Sequence, residues 1–527
     1  MKKINYSFSL AILFVLFLTM TEVVLAGGGP SRIPVTRSNA STSTVVDYTP
    51  QNIRSAGRND LGQLGNGSTS SNPVGNLQTV IGLSSSYNPV PGAEHVIAYQ
   101  GGTTVLFVWG CNQYGQLGRS ENAGTTTPHP TPIPITLPGN KIVYNVAVGR
   151  YSSFALDNEG KLWSWGYNRY GELGHSQGVG TENPNFTPTE VATVDSVIKW
   201  VLVYPGAHHT IVIGQMQSGQ QRAYSFGRNN MGQLGRTENV GTDIPNPVPK
   251  LVNVNNTFIS ATAGIDFTLM MGTGSIELYS FGSNQFGQLG RNENSGTTTP
   301  NPTPVPVALP SGITSWSTVV AGGKHAFGFG YDSGNAKLFS WGSNEFGQLG
   351  RTDNSGTTIP NPTPVLIPLI NSEIWISLAA GEYHSMVTTG DYTDPHFWSC
   401  GLNQWGQLAN PTNFGTMNPT PEWVAFGTPV SDVQQESEPP VEYSLEQNYP
   451  NPFNPSTTIK YSIPEEGYIK LAIYDLLGNE IAVLVSGDQR AGNYEVNFTA
   501  GNLSSGVYIY RIESSNYKAS KKFVLIK

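Results

Sequence analysis

Charge is scarce in this sequence. Asp, Glu, Lys and Arg make up 12% of 527 residues, about half the usual share of a soluble domain. The balance is acidic. Residues 27–442 hold 18 Lys and Arg against 27 Asp and Glu, and 443–527 hold eight of each. No Lys/Arg-rich run appears, so the positive footprint that a phosphate backbone requires is missing and no nucleic-acid partner is expected. Cysteine is scarcer still. Cys111 and Cys400 are too few for a disulfide framework or a metal knuckle. They also fall at different offsets in two non-consecutive repeats, which argues against a bridge between them.

Long apolar runs are confined to the N-terminus. Lys2 and Lys3 precede an apolar stretch from Ile12 to Leu18, and Val24-Leu25-Ala26 closes it. This reads as a secretory signal over 1–26, cleaved between Ala26 and Gly27. The stretch is short for the roughly 20 residues of a membrane-spanning helix. The mature chain is therefore expected to have no span.

Turn formers, by contrast, are plentiful: 60 Gly and 37 Pro, alongside 38% hydrophobic residues. They are ordered by a repeat. AGRNDLGQLG (56–65), WGCNQYGQLG (109–118), WGYNRYGELG (165–174), FGRNNMGQLG (226–235), FGSNQFGQLG (281–290), WGSNEFGQLG (341–350) and CGLNQWGQLA (400–409) recur at near-constant spacing. A period of this size means stacked supersecondary units. Each unit reads as β. In FALDNEGKLWSWG (154–166), two alternating runs flank the turn Asp157-Asn158-Glu159-Gly160.

A second motif precedes the first in six units: GAEH (92–95), GRYS (149–152), GAHH (206–209), GIDF (264–267), GGKH (322–325) and GEYH (381–384). The first unit lacks it, and either STVVDY (43–48) or Trp423–Phe426 is expected to complete the ring there. Four short strands per unit suit a propeller blade, which leaves few open sheet edges.

The paired motifs GxNxxGQLG and GxxH resemble the regulator of chromosome condensation repeat. The resemblance covers about 48–427 and implies a seven-bladed β-propeller. Its eukaryotic members act on a small GTPase or on chromatin, and a secreted bacterial member inhibits β-lactamases. The acidic balance and the leader argue against the first two roles.

Residues 428–442 read as a polar, Pro-containing linker. Beyond them, NYPNPFNPST (448–457), IYDLLGNE (473–480), AGNYEV (491–496) and SGVYIYRI (505–512) resemble the C-terminal sorting domain of the type IX secretion system. That resemblance implies a Gram-negative source of the Bacteroidetes type, passage through the periplasm, and surface attachment or release. The fold class expected is all-β: a seven-bladed propeller (48–427) after an N-terminal segment (27–47), then a small immunoglobulin-like β-sandwich (443–527).

Catalytic readings fail one by one. The histidines His95, His209, His325 and His384 share a position with Ser152 and Phe267, and a metal ring would not accept Phe; a structural role is expected. One acid per loop (Glu121, Glu238, Glu293, Asp353) is thin for calcium, which takes six or more oxygens. No GxSxG, HExxH or P-loop pattern occurs. No cofactor or metal is expected, and the chain is read as a monomer and not an enzyme. The aromatics Tyr114, Tyr170, Phe286, Phe346 and Trp405 share one repeat position and are expected to pack between units.

A repeat protein shows its function where its units disagree. The most variable short stretch is the pair inside GxxH. It places Glu94, Arg150, Tyr151, His208, Asp266, Lys324, Glu382 and Tyr383 in a circle on one face. Mixed charges with aromatics suit a rim that binds a protein or a glycan. A polysaccharide-directed enzyme with a site at the channel, or a structural or adhesive module, is the alternative.

Overall fold

The structure is a computed structural model. It describes residues 36–38, 42–47, 52–409, 424–425 and 442–526, with short interruptions at 85, 195, 255, 274–276, 333–335, 371–372, 391–394, 466, 490–491 and 501–502. The signal segment with its cleavage point at Ala26–Gly27, the linker up to Val441, and Tyr48, Trp423 and Phe426 lie outside the described residues. The chain divides into two compact units, Met1–Thr428 and Pro429–Lys527.

Every described element is a β-strand or turn. The first unit contains seven four-stranded antiparallel sheets, running from Thr36–Ser84, Asn88–Thr136, Val143–Val191, Val197–Leu251, Phe258–Pro306, Ser315–Ile367 and Trp375–Ala425. Each is a meander, with strands hydrogen-bonded in chain order. Local chemistry explains the hairpins. In the third sheet, Ser152–Asp157 pairs with Leu162–Gly166. Between them, Asp157 Oδ1 accepts the N–H groups of Glu159 and Lys161, both at 2.9 Å, and Gly160 takes φ 81°. Asp and Gly at these positions are what such a turn demands.

The first strand of each sheet touches the first strand of the next, and the first strand of the first sheet touches that of the seventh. These strands therefore surround an axis and the sheets radiate from it. The second strands of the inner sheets are covered on both faces by neighbouring sheets, so His95–Tyr99 and Ser152–Asp157 are buried at every residue. The core is a series of wedges between sheets. In one, Val90, Ile97, Leu106 and Val108 of the second sheet meet Val143, Val146, Trp163 and Trp165 of the third.

The first sheet reaches back to Thr36 and so uses residues of the segment that the repeat pattern leaves outside. Strand Thr42–Asp47 pairs with Asn52–Asn59, setting Thr42 opposite Gly57 as His95 is set opposite Gly110. Thr42 thus holds the register position of the missing motif's last residue. Val424–Ala425 adds the outermost strand of the seventh sheet. The two sheets meet at a seam: Ala56 packs with Met386 and Ala409, Val74 N–H donates to Trp405 O at 3.1 Å, and Arg58 lies over the Trp405 ring. Among the described residues no strand is shared across the seam.

The second unit is a two-sheet sandwich. One sheet orders Ser444–Leu445, Ser456–Ile463 and Gly492–Thr499; the other orders Glu480–Gln489, Gly467–Tyr474, Gly506–Glu513 and Lys518–Leu525. Ile459, Tyr461 and Ile463 of the first face Ile469, Leu471, Ile473, Tyr510 and Phe523 of the second.

Candidate binding face

The GxxH turns build the ring. Five of the six turns donate a backbone N–H to the turn of the next sheet: Ala93 to Arg150 O (3.3 Å), Arg150 to Gly206 O (3.4 Å), Ala207 to Gly264 O (3.2 Å), Ile265 to Gly323 O (3.0 Å) and Gly323 to Gly381 O (3.1 Å). Glycine is obligatory at the turn's start. A Cβ on Gly149 would sit 2.8 Å from Gly206 O, and one on Gly206 would sit 2.6 Å from Gly264 O. The collar surrounds an axial cavity of about 220 Å³.

The histidines bolt adjacent sheets together. His95, His209 and His325 each place Nε2 2.8–2.9 Å from a hydroxyl of the next sheet: Ser153, Thr268 and Ser385. Those hydroxyls donate onward to the carbonyls of Gln116, Gln233 and Gln348. The hydroxyl proton is committed, so Nε2–H is the donor. Burial drives these three imidazoles, and His384, down to about 3. Where Phe267 replaces the histidine, the hydroxyl position of the next sheet holds Ala326, and both are fully buried in one apolar cluster.

The other recurrent groups also have structural partners. Glu121, Glu293 and Asp353 pair with Arg119, Arg291 and Arg351 two residues earlier, and Glu238 pairs with Lys250 at 2.6 Å. Among the described residues no group of His, Cys, Asp and Glu is placed to hold a metal ion. Cys111 and Cys400 are buried free thiols. Cys400 stands at the position where five other repeats have Trp or Phe, and its Sγ faces Gln348 O.

All eight predicted face residues are half-buried, and the structure links most of them. Arg150, in the third sheet, reaches across the axis to Glu382 in the seventh, at 3.6 Å. Burial opposes its charge, yet Glu382 and the neighbouring tyrosines outweigh that and hold its pKa above the ordinary value. The aromatics of GxNxxG pack on the ring residue of the following sheet. Tyr114 meets Tyr151 (5.1 Å between centroids), Tyr170 meets His208 (5.3 Å), Phe346 meets Tyr383 (5.3 Å), and Lys324 Nζ lies 4.5 Å over Phe286. They lie between units, as expected, but at the same face as the ring. Asp266 receives Gln233 Nε2 at 3.4 Å, and burial pushes its carboxyl up despite Arg228, His208, Lys324 and Arg150 nearby. Glu94 pairs with Arg58 at 3.4 Å.

Sequence reasoning passed over Arg58, Tyr167, Glu172 and Arg228. Tyr167 joins Tyr114, Tyr151, Tyr170 and His208 in one aromatic cluster, and Arg228 covers Tyr170 from 5.0 Å. Arg58, Tyr167 and Arg228 share the variable position after the first motif glycine. Glu172 carried a stronger signal: it is the only departure from Gln in GQLG. Like those glutamines, it accepts a backbone N–H, that of Tyr170 at 2.8 Å. Its other oxygen lies 3.4 Å from His208 Nδ1, and burial pushes its carboxyl up. A carboxyl whose folded pKa is raised loses stability as pH rises above its unfolded value. Glu172→Gln is therefore expected to raise thermal stability at neutral pH by about 1 kcal/mol, and by less below pH 4, as thermal melts at the two pH values would show.

Models of the Regulator of chromosome condensation (RCC1) repeat match residues 105–156, 159–213, 221–271, 277–328 and 335–388, half of the chain. The chain belongs to this repeat family. The Secretion system C-terminal sorting domain matches 447–527. The protein is therefore a secreted β-propeller, exported by the type IX system to the cell surface or the extracellular space. Among similar proteins, the Arabidopsis thaliana ultraviolet-B receptor UVR8 is 25% identical over 72% of this chain and 79% of its own. The mouse E3 ubiquitin-protein ligase HERC2 is 27% identical over 62% of this chain, but that match spans only 6% of HERC2. The crystal structure of Prp20p from Saccharomyces cerevisiae, described with its binding to Gsp1p and histones, superposes with a TM-score of 0.60. It is 22% identical, covering 76% of this chain and 89% of that one. No described helix is long and apolar enough to cross a membrane.

Proposed function

We propose that the protein is a non-enzymatic binding module that takes a protein or glycan ligand on the GxxH face. The observation that carries this reading is the joined aromatic and charged surface around Tyr151 and His208, spanned by the Arg150–Glu382 pair. Half-buried aromatics beside arginines supply contact area at small entropic cost and are the groups that dominate binding energies. The mature chain starts at Gly27, the propeller acts as a monomer, and 428–442 tethers it to the sorting domain, whose partner is the secretion machinery.

The test uses residues 27–440 as bait against the surface and secreted proteins and glycans of the source cell. A second bait carries Glu94, Tyr151, His208, Asp266, Lys324 and Tyr383 all changed to Ala. Tyr151→Ala alone guards against a folding defect in the sextuple variant. Capture by the unaltered bait, lost in the sextuple variant and at least tenfold weaker in Tyr151→Ala, is the expected result. Equal capture by all three would move the site off this face.

A further inference from the structure

The fourth sheet has a short outer edge. Its outermost strand, Lys250–Leu251, is two residues long, like Val424–Ala425 of the seventh sheet, where the second, third and fifth sheets have eight, seven and six. Beside this shortened strand lies a cavity of about 560 Å³, bounded by Arg222, Arg236, Glu238, Leu251, Val252 and Val254. That volume suits a small ligand.

The arginine here is arranged unlike its counterparts. Arg291 and Arg351 give Nε to a serine hydroxyl (3.2 Å) and pair with the acid two residues on. In the fourth sheet Lys250 takes that acid, with Nζ 2.6 and 2.9 Å from the Glu238 oxygens. Arg236 turns Nη1 onto Ser225, at 2.7 Å from its carbonyl and 2.6 Å from its hydroxyl. Its Nε and Nη2 make no hydrogen bond, although the residue is only 7% exposed and Glu238 stands 3.5 Å from Nε. Burial lowers Arg236 to about 10, so it remains a cation at neutral pH. Arg222, half-buried on the next strand, has no carboxylate within ion-pair distance among the described residues. Lys250 and Arg236 thus share one acid, and Arg222 lines the same cavity without one, in a domain that is otherwise acidic.

We propose that this cavity binds the carboxylate of an acidic sugar. The half-exposed Arg222 presents a planar donor fork that matches a carboxylate's two oxygens, and Arg236, buried at the cavity with Nε and Nη2 unpartnered, adds a second cation. Leu251 and Val254, with Val252 buried behind them, supply an apolar edge for the C–H face of a pyranose. The site lies at the outer edge of the fourth sheet and shares no residue with the GxxH ring, so it stands or falls independently of the function proposed above.

Calorimetric titration of the full secreted chain with sodium galacturonate and trigalacturonate tests it, with galactose and sodium sulfate as controls at matched ionic strength. Saturable binding of the uronates, absent for galactose and weakened at least tenfold by Arg222→Ala, is expected. Arg236→Lys, which keeps the charge but not the fork, is expected to weaken binding as well. The sextuple ring variant should bind uronate as the unaltered protein does. No saturable uronate heat, equal affinity in Arg222→Ala, or binding of sulfate in preference to uronate would each overturn the proposal.

Discussion

A chain ended at residue 440 is expected to fold its propeller and to stay inside the cell envelope. The chain divides into two compact units at Thr428–Pro429, and each has its own core. Export depends on the matched sorting domain over 447–527. Fractionation should find the truncated protein in the periplasm with an unchanged melting temperature and essentially none outside, a loss of two orders of magnitude or more. The reciprocal fusion, residues 429–527 behind an unrelated periplasmic protein, should carry that protein out. Truncated propeller at the cell surface in normal amounts would separate export from this domain.

The second large effect is on stability. The four buried imidazoles are neutral in the folded state, with values near 3, against about 6.5 in an unfolded chain. Because the folded value is the lower one, the unfolded state takes up protons first. Stability is complete above pH 6.5 and falls as pH drops toward 3. Each such group costs about 1.4 kcal/mol per pH unit in that window, so the four together approach about 5 kcal/mol per unit near pH 5. The raised carboxyls of Glu172 and Asp266 act in the opposite sense but are only two. Urea unfolding at pH 7, 6 and 5 should show the steep decline. A double-mutant cycle isolates one bolt. His325→Phe or Ser385→Ala alone should each cost about 1–3 kcal/mol through a broken buried hydrogen bond. The pair together, which copies Phe267 and Ala326, should recover most of that and flatten the pH slope by one proton. Additive losses would show that hydroxyl and imidazole act separately.

That pairing also shows where sequence reading stops. GxNxxGQLG was legible because its glycines answer to the neighbouring sheet's backbone: a Cβ on Gly115 would sit 2.7 Å from Phe186 N. The histidines were legible as structural from the Phe that replaces one of them. The reason for that Phe was not, because the matching Ala326 lies one repeat away and one residue off the motif. The ring residues were found by their variability. Arg150–Glu382 was out of reach, since the pair is formed by the curvature of the ring and not by any spacing along the chain. STVVDY (43–48) is one of the two stretches expected to complete the first unit, and strand Thr42–Asp47 lies there; the sheet's reach back to Thr36 was not legible, because Thr42 fills a histidine's register position without its motif.

The seam has a kinetic consequence. Apart from the axial Arg150–Glu382 pair, the packing between the other sheets joins stretches adjacent in the chain, so each wedge can form as soon as two successive meanders exist. Such local contacts assemble quickly. The meeting of Ala56 with Met386 and Ala409, and of Val74 and Arg58 with Trp405, requires the two ends of the strip to find each other, and among the described residues no shared strand holds them. Closure is then the last and slowest event, its entropic cost set by the whole length between the ends. Until it occurs, the strip has two unsatisfied faces, at the first sheet and at the seventh, and these are where a folding chain is open to another copy of itself.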